Sequence, residues 1–227
     1  MRLGRNGADA LMEAIGEWDD PSKKELEDQD QNHIDRIFGL EIIHSSFSEK
    51  LSEDFSRFVN KKSYCSVSRT EIFKYGECFK YINFPILFCK FKFGEMPGGG
   101  FFQMDPKLAH KIFLSHFDLV DDVEENHSSF SFNKNTLKIL NKYFKKILKS
   151  YEKSWNIIIP DFSFSEERRM ETNPSFLHIA ELNETVVSVE FDVEFDNNPK
   201  LYFFKVCFPF SSIEEIRIQL ADASNIF

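Results

Sequence analysis

Apolar residues recur at steps of three and four along two stretches of this chain, with weaker patterns between and after them. Leu137, Leu140, Phe144, Leu148, Tyr151 and Trp155 form one stripe, and Lys138, Lys142, Lys145, Lys146, Lys149 and Lys153 take the other faces. Asn133 offers a cap to the unpaired N–H groups of the first turn, and Pro160 stands just past the end, where a helix cannot continue. Leu40, Ile43, Phe47, Leu51, Phe55 and Phe58 predict another long amphipathic helix, the first in chain order. Stripes of this length are buried only against a partner layer, and strands on either side supply one.

The strands are expected at 63–73 (Tyr64, Cys65, Val67, Ile72), 84–93, 101–104, 161–170, 185–195 and 200–208. The pattern is cleanest in 185–195: Val187, Val189, Phe191, Val193 and Phe195 share one face, and Ser188, Glu190, Asp192 and Glu194 the other. Glu95–Met96–Pro97–Gly98–Gly99–Gly100 and Asp196–Asn197–Asn198–Pro199 read as hairpin turns. Asp105–Pro106 opens a helix with Leu108, Ile112 and Phe113, Asp at the cap and Pro at the first position. Short helical segments are expected at 74–81 and at Asn173–Phe176, and a last helix with Ile213, Ile216 and Leu220 follows Pro209.

Side by side, the halves share one order: long helix, strand, short helical segment, two-strand hairpin, helix. The expectation is an internal duplication at a period of about one hundred residues. The fold class is then α/β, a pseudo-symmetric duplicated domain with one sheet and two long helices packed on it. Ahead of it, residues 5–17 form a short amphipathic segment with Ala8, Leu11, Met12 and Ile15, marginal as an isolated helix. Residues 18–32 are a charged linker containing Pro21. The expected organisation is a peptide and acidic linker over 1–33, a body over 34–221 and a tail over 222–227.

Composition narrows the partners. A hydrophobic share of 42% and 27 Phe suffice for a full core, while a formal charge of −9 and pI near 5.2 disfavour nucleic acid and anionic lipid. No apolar run is long enough to span a membrane, and the first residues lack a signal-peptide core. Cys65, Cys78, Cys89 and Cys207 are widely spaced without a C-x-x-C pair, so the reading is buried free thiols and no zinc. His44, His110, His116, His127 and His178 show no ligand spacing, and no metal or cofactor is expected. Glu166–Glu167–Arg168–Arg169 reads as a solvated strand edge, and the lysine face of the 133–155 helix as solvated too, with reception of an acidic partner as its alternative.

Leu40–Glu41–Ile42–Ile43–His44 and Phe73–Lys74–Tyr75–Gly76–Glu77 resemble the middle domain of the flagellar motor switch protein FliM family. So do Tyr151–Glu152–Lys153–Ser154–Trp155, Met170–Glu171–Thr172–Asn173–Pro174–Ser175–Phe176, Ile179–Ala180, Asn183–Glu184–Thr185–Val186–Val187 and Phe208–Pro209–Phe210–Ser211–Ser212–Ile213–Glu214–Glu215–Ile216–Arg217. The likeness runs from about Ile34 to Leu220. It implies the CheC-like fold and a non-enzymatic place in the cytoplasmic switch ring at the flagellar basal body, peripheral to the inner membrane. The partners it implies are the rotor protein FliG, FliN, neighbouring FliM-like subunits and phosphorylated CheY. Asp9, Ala10, Leu11 and Met12 are similar to the core of the family's response-regulator peptide. The family's Gly-Gly-x-Gly rotor loop has no glycine here: Asp118, Leu119, Val120, Asp121 and Asp122 occupy the region and are the candidates for that contact. A C-terminal FliN-like domain is expected to be absent, because the sequence stops at Phe227.

The alternative is a CheC-like phosphatase or a stand-alone binder of phosphorylated response regulator. Ser45, Glu49 and Ser52 resemble the phosphatase spacing, with Ser52 where an amide orients the attacking water. The second long helix offers Leu148, Glu152 and Trp155 at that spacing, which lack the chemistry. A hydroxyl is also a poor replacement for a group that must both donate and accept.

Overall fold

The computed structural model describes residues 38–79, 86–94, 98–119, 132–196 and 198–222. The first long helix, α1 (Phe38–Val59), buries Leu40, Ile43, Phe47, Leu51, Phe55 and Phe58, the stripe expected from the sequence. Asn60, with φ of 51°, takes the left-handed position that stops it. The chain then enters β1 (Ser63–Lys74) and a 3-10 turn, Tyr75–Glu77, shorter than the helical segment expected at 74–81. The first hairpin is β2 (Leu87–Lys92) with β3 (Gly99–Met104). Only Gly98, with φ of 89°, serves the turn among the three glycines, because Gly99 and Gly100 already pair with Lys92 and Phe91. A Cβ on Gly100 would lie 2.7 Å from Cζ of Phe91, so the strand needs glycine there for room. Helix α2 (Pro106–Ser115) starts as predicted, Oδ1 of Asp105 accepting from the Lys107 N–H at 2.7 Å.

The second half repeats this order. Helix α3 (Lys134–Trp155) is capped by Asn133, whose Oδ1 accepts from the N–H groups of Asn135 and Thr136. Its buried stripe is Thr136, Leu140, Phe144, Ile147, Tyr151, Ser154 and Trp155. Ile147 thus takes the place expected for Leu148, which is half-buried like Leu137. Strand β4 (Ser165–Glu171) starts four residues later than expected, after a turn through Asp161 at φ of 61°. A 3-10 turn at Pro174–Phe176 precedes β5 (Thr185–Phe195) and β6 (Asn198–Pro209). After Pro209 the chain makes seven 3-10 residues, Phe210–Ile216, before the short helix α4 (Arg217–Asp222).

All six strands form one antiparallel sheet in the order β1-β5-β6-β3-β2-β4. Exchanging the halves (β1 for β4, β2 for β5, β3 for β6) returns the same order read backwards, so the sheet has a pseudo-two-fold axis between β3 and β6. The first strand of each half pairs with the hairpin of the other: β1 with β5, β4 with β2. Helices α1 and α3 cover one face side by side in opposite directions, as Ser46 faces Ser154 and Phe58 faces Tyr143. Phe47, Phe91, Phe102, Tyr151, Phe191 and Phe204 meet beneath them as the core. On the opposite face a smaller cluster of Tyr75, Ile86, Phe88, Phe101, Leu177, Val186 and Cys207 is covered by Phe79 and Ile179.

Candidate protein-interaction surface

The helix faces that point away from the sheet carry the groups of interest. On α1, Ser45 and Glu49 are exposed, but Ser52 is not available. Its hydroxyl donates to the Ser48 carbonyl at 3.0 Å and accepts from the Cys65 N–H at 2.8 Å, holding β1 against the helix. One turn on, the Ser56 hydroxyl donates to the Ser52 carbonyl at 2.6 Å and accepts from the Ser63 N–H at 2.8 Å. One hundred residues later the same two helix positions do the same work with different side chains. Oε2 of Glu152 accepts from the Phe164 N–H at 2.9 Å, and Nδ2 of Asn156 donates to the Phe162 carbonyl at 2.7 Å. The hundred-residue offset makes Glu152, rather than the Trp155 expected from spacing, the counterpart of Ser52, and in both halves this position clamps the start of the next strand. Sequence spacing did not disclose this, because each clamp joins a helix to a loop or strand 6 to 13 residues away.

The outer side of α3 is basic: Lys134, Lys138, Lys142, Lys145, Lys146, Lys149 and Lys153 are all exposed, and Glu152, the helix's one acid, is taken up by Phe164. Lys146 also lies 5.6 Å from the Phe58 ring centre. Between the helices the polar contacts are buried or partly buried. Ser150 donates to Oδ2 of Asp54 at 2.5 Å, and burial raises the Asp54 carboxyl above the ordinary carboxylate range, with Ser150 and Arg57 opposing. His44 stacks between Tyr151 and Phe208, with Nε2 3.2 Å from the Tyr151 hydroxyl. Burial lowers its pKa to about 4, so this histidine is neutral at physiological pH.

Of the residues predicted for partner binding, Asp9, Ala10, Leu11 and Met12 lie outside the described residues, as do Val120, Asp121 and Asp122. Asp118 and Leu119 are described, at the C-terminal end of α2. Asp118 has φ of 54° and Leu119 folds back so that its N–H donates to the Leu114 carbonyl at 3.1 Å. Leu119 is 55% exposed and Phe117 beside it 51%, an apolar tip flanking an acidic residue. Phe117 leans on Phe113 and on His116, whose Nδ1 lies 2.8 Å from the Tyr143 hydroxyl of α3. The tip is thereby tied to the helix layer. Glu166–Glu167–Arg168–Arg169 falls on β4, which is an edge strand. No group of three or more potential metal ligands occurs among the described residues, and none of their helices is long and apolar enough to cross a membrane.

The family model for the flagellar motor switch protein FliM matches residues 33–224. The flagellar motor switch protein FliM of Bacillus subtilis is 26% identical over 213 residues, 85% of this chain. The chain spans 60% and 65% of the length of the two curated relatives it matches. Among solved structures, the FliM middle domain from H. pylori superposes with a TM-score of 0.69 at 17% identity, over 82% of this chain and 98% of that one. A chain of the FliG–FliM complex from H. pylori gives 0.72 at 17% identity, over 81% and 98%. At such identity the superpositions establish the fold, a FliM-middle-domain fold. The match across 33–224 establishes the lineage: the chain belongs to the flagellar motor switch protein FliM family.

Proposed function

We propose that this chain is a non-enzymatic component of a flagellar motor switch, one of a ring of copies that links a chemotaxis signal to the direction of rotation. The observation that carries this reading is the family match over residues 33–224, on a body with the FliM middle-domain fold. In the proposed organisation, residues 1–33 are a response-regulator peptide and linker, and Asp9, Ala10, Leu11 and Met12 receive phosphorylated CheY. The body, 34–221, meets a FliG-type rotor protein through the tip at Asp118–Asp122, and Phe117 adds apolar area to that contact. A solved FliG–FliM complex with a chain of this fold supports a FliG partner. The basic outer side of α3, in a chain of net charge −9, supplies the charge contrast that a repeated contact between copies uses. FliN completes the partner set, and the location is cytoplasmic, peripheral to the inner membrane at the basal body.

The mechanism is a shift between two ring arrangements, which requires the signal to bind one arrangement better than the other. Phosphatase activity is the weaker reading, since Ser52 is engaged by Cys65 and Glu152 by Phe164. Co-purification with a FliG homologue tests the assignment: retention of FliG by the intact chain, weakened by Phe117→Ser with Leu119→Ser, is expected. Failure to retain FliG, together with catalytic loss of phosphate from CheY that depends on Glu49, would replace the switch with a phosphatase.

A further inference from the structure

Two of the four cysteines meet where the halves join. Cys78 follows the 3-10 turn of the first half, and Cys207 lies on β6, one of the two central strands. They are 129 residues apart in sequence, yet their Sγ atoms are 3.8 Å apart, and both are free thiols. Closing that gap to a disulfide bond of about 2.05 Å asks for less than about 2 Å of movement. Cys65 on β1 and Cys89 on β2 have three strands between them and are not a second pair. Cys78 is half-buried, within reach of a small oxidant, while Cys207 is 2% exposed.

We propose that Cys78 and Cys207 are a redox modification site, at which a peroxide-class oxidant converts the two thiols into one intramolecular disulfide. Cys78 is the attacking residue. Its thiolate takes the terminal peroxide oxygen, the O–O bond breaks, and hydroxide leaves to be protonated to water. The sulfur of Cys207 then displaces hydroxide from the Cys78 sulfenic acid: the S–O bond breaks, the S–S bond forms, and the Cys207 proton leaves in a second water. Two thiols are oxidised by two electrons and one peroxide is reduced to two waters. Cys207, buried out of reach of the oxidant, takes the resolving role, and burial also holds its thiol above the ordinary range until Cys78 has been oxidised beside it.

The bond would reinforce a junction already held by hydrogen bonds. The Tyr75 N–H donates to the Glu184 carbonyl at 2.8 Å and the Gly76 N–H to the Leu182 carbonyl at 2.9 Å. A covalent tie from Cys78 to β6 fixes the same first-half turn to the second half. The proposal does not depend on the flagellar assignment.

The test uses the full reduced chain, treated natively with near-stoichiometric hydrogen peroxide and mapped by mass spectrometry without reduction. The expected product is a monomer lighter by two hydrogens with a Cys78–Cys207 linked peptide, restored by dithiothreitol. Its thermal midpoint should rise by about 5 °C or more over the reduced form. Cys78→Ala removes both the link and the shift, and Cys65→Ala with Cys89→Ala removes neither. The proposal fails if the linked peptide is absent, if the link maps to Cys65 or Cys89, or if Cys78 runs on to sulfinic acid with Cys207 unmodified. Mapping on the wild-type chain decides the matter even where an alanine at Cys207 weakens the fold.

Discussion

His44 stands where Phe144 stands one hundred residues later, both buried beneath the helix layer, so one half of the core carries an imidazole where its mate carries a phenyl ring. Its depressed pKa has a consequence for acid stability. Between about 4, the folded value, and the unfolded value near 6.5, the unfolded chain holds a proton that the folded chain does not. Stability therefore rises with pH through that window and falls as pH drops through it, by up to about 3 kcal/mol in all. Asp54 and Asp105, both raised by burial, contribute with the opposite sign above the ordinary Asp range, and they persist in a His44 variant. In urea titrations at several pH values, His44→Phe should lose the dependence between pH 4 and 6.5. At pH 7 it should cost about 1–2 kcal/mol, because the buried Tyr151 hydroxyl loses its partner. An unchanged pH slope in the variant would refute the assignment. Asp118 makes a second case. Its left-handed backbone is of the kind that glycine adopts without strain. Asp118→Gly should therefore hold or raise the thermal midpoint, and Asp118→Val should lower it, with a difference of about 1–2 kcal/mol. No local pattern in the sequence disclosed that this aspartate takes a left-handed backbone.

Among the elements, β5 was the most legible, since strict alternation over eleven residues leaves one register that buries the apolar face. Helix α3 was legible in extent and cap but not fully in its stripe. With 3.6 residues per turn, Ile147 and Leu148 compete for one place, and Ile147 takes it, in line with the buried Thr136, Leu140, Phe144, Tyr151 and Ser154. No local pattern says that a threonine and a serine belong on the buried side. The start of β3 was misplaced for a related reason: glycines read as turn residues, while here Gly100 is wanted for the narrowness of its place beside Phe91. The clamps were the least legible, because Ser52 and Glu152 share no chemistry beyond accepting a hydrogen bond from a backbone N–H. That equivalence is testable. Glu152→Ala should lower stability by about 1–2 kcal/mol, and Glu152→Gln, which keeps an acceptor, should recover most of it in the same urea titration. Equal losses in the two variants would mean that the charge or the packing of Glu152 matters instead.

The two-fold exchange of first strands has the widest reach. Element order alone implied two similar halves, but not that β1 would leave its own hairpin for that of the other half, because strand choice depends on contacts over a hundred residues apart. Neither half makes a sheet with its own first strand: residues 38–119 hold β1 with no neighbour beside it, and residues 132–222 leave β4 likewise. The apolar undersides of α1 and α3 also share one core, where Phe47 of the first half touches Tyr151 and Phe191 of the second. A half alone would expose that core and two open strand edges, a combination that favours aggregation over folding. Expressed separately, each half should lack a cooperative thermal transition and give little native circular dichroism. Mixed during refolding, the two should form a one-to-one complex with the spectrum of the intact chain, because the sheet is built by pairing between the halves. Cooperative folding of either half alone would mean that the exchanged pairing is dispensable. The ring reading would then lose its rigid unit, since a subunit that transmits a shift between neighbours must move as one body.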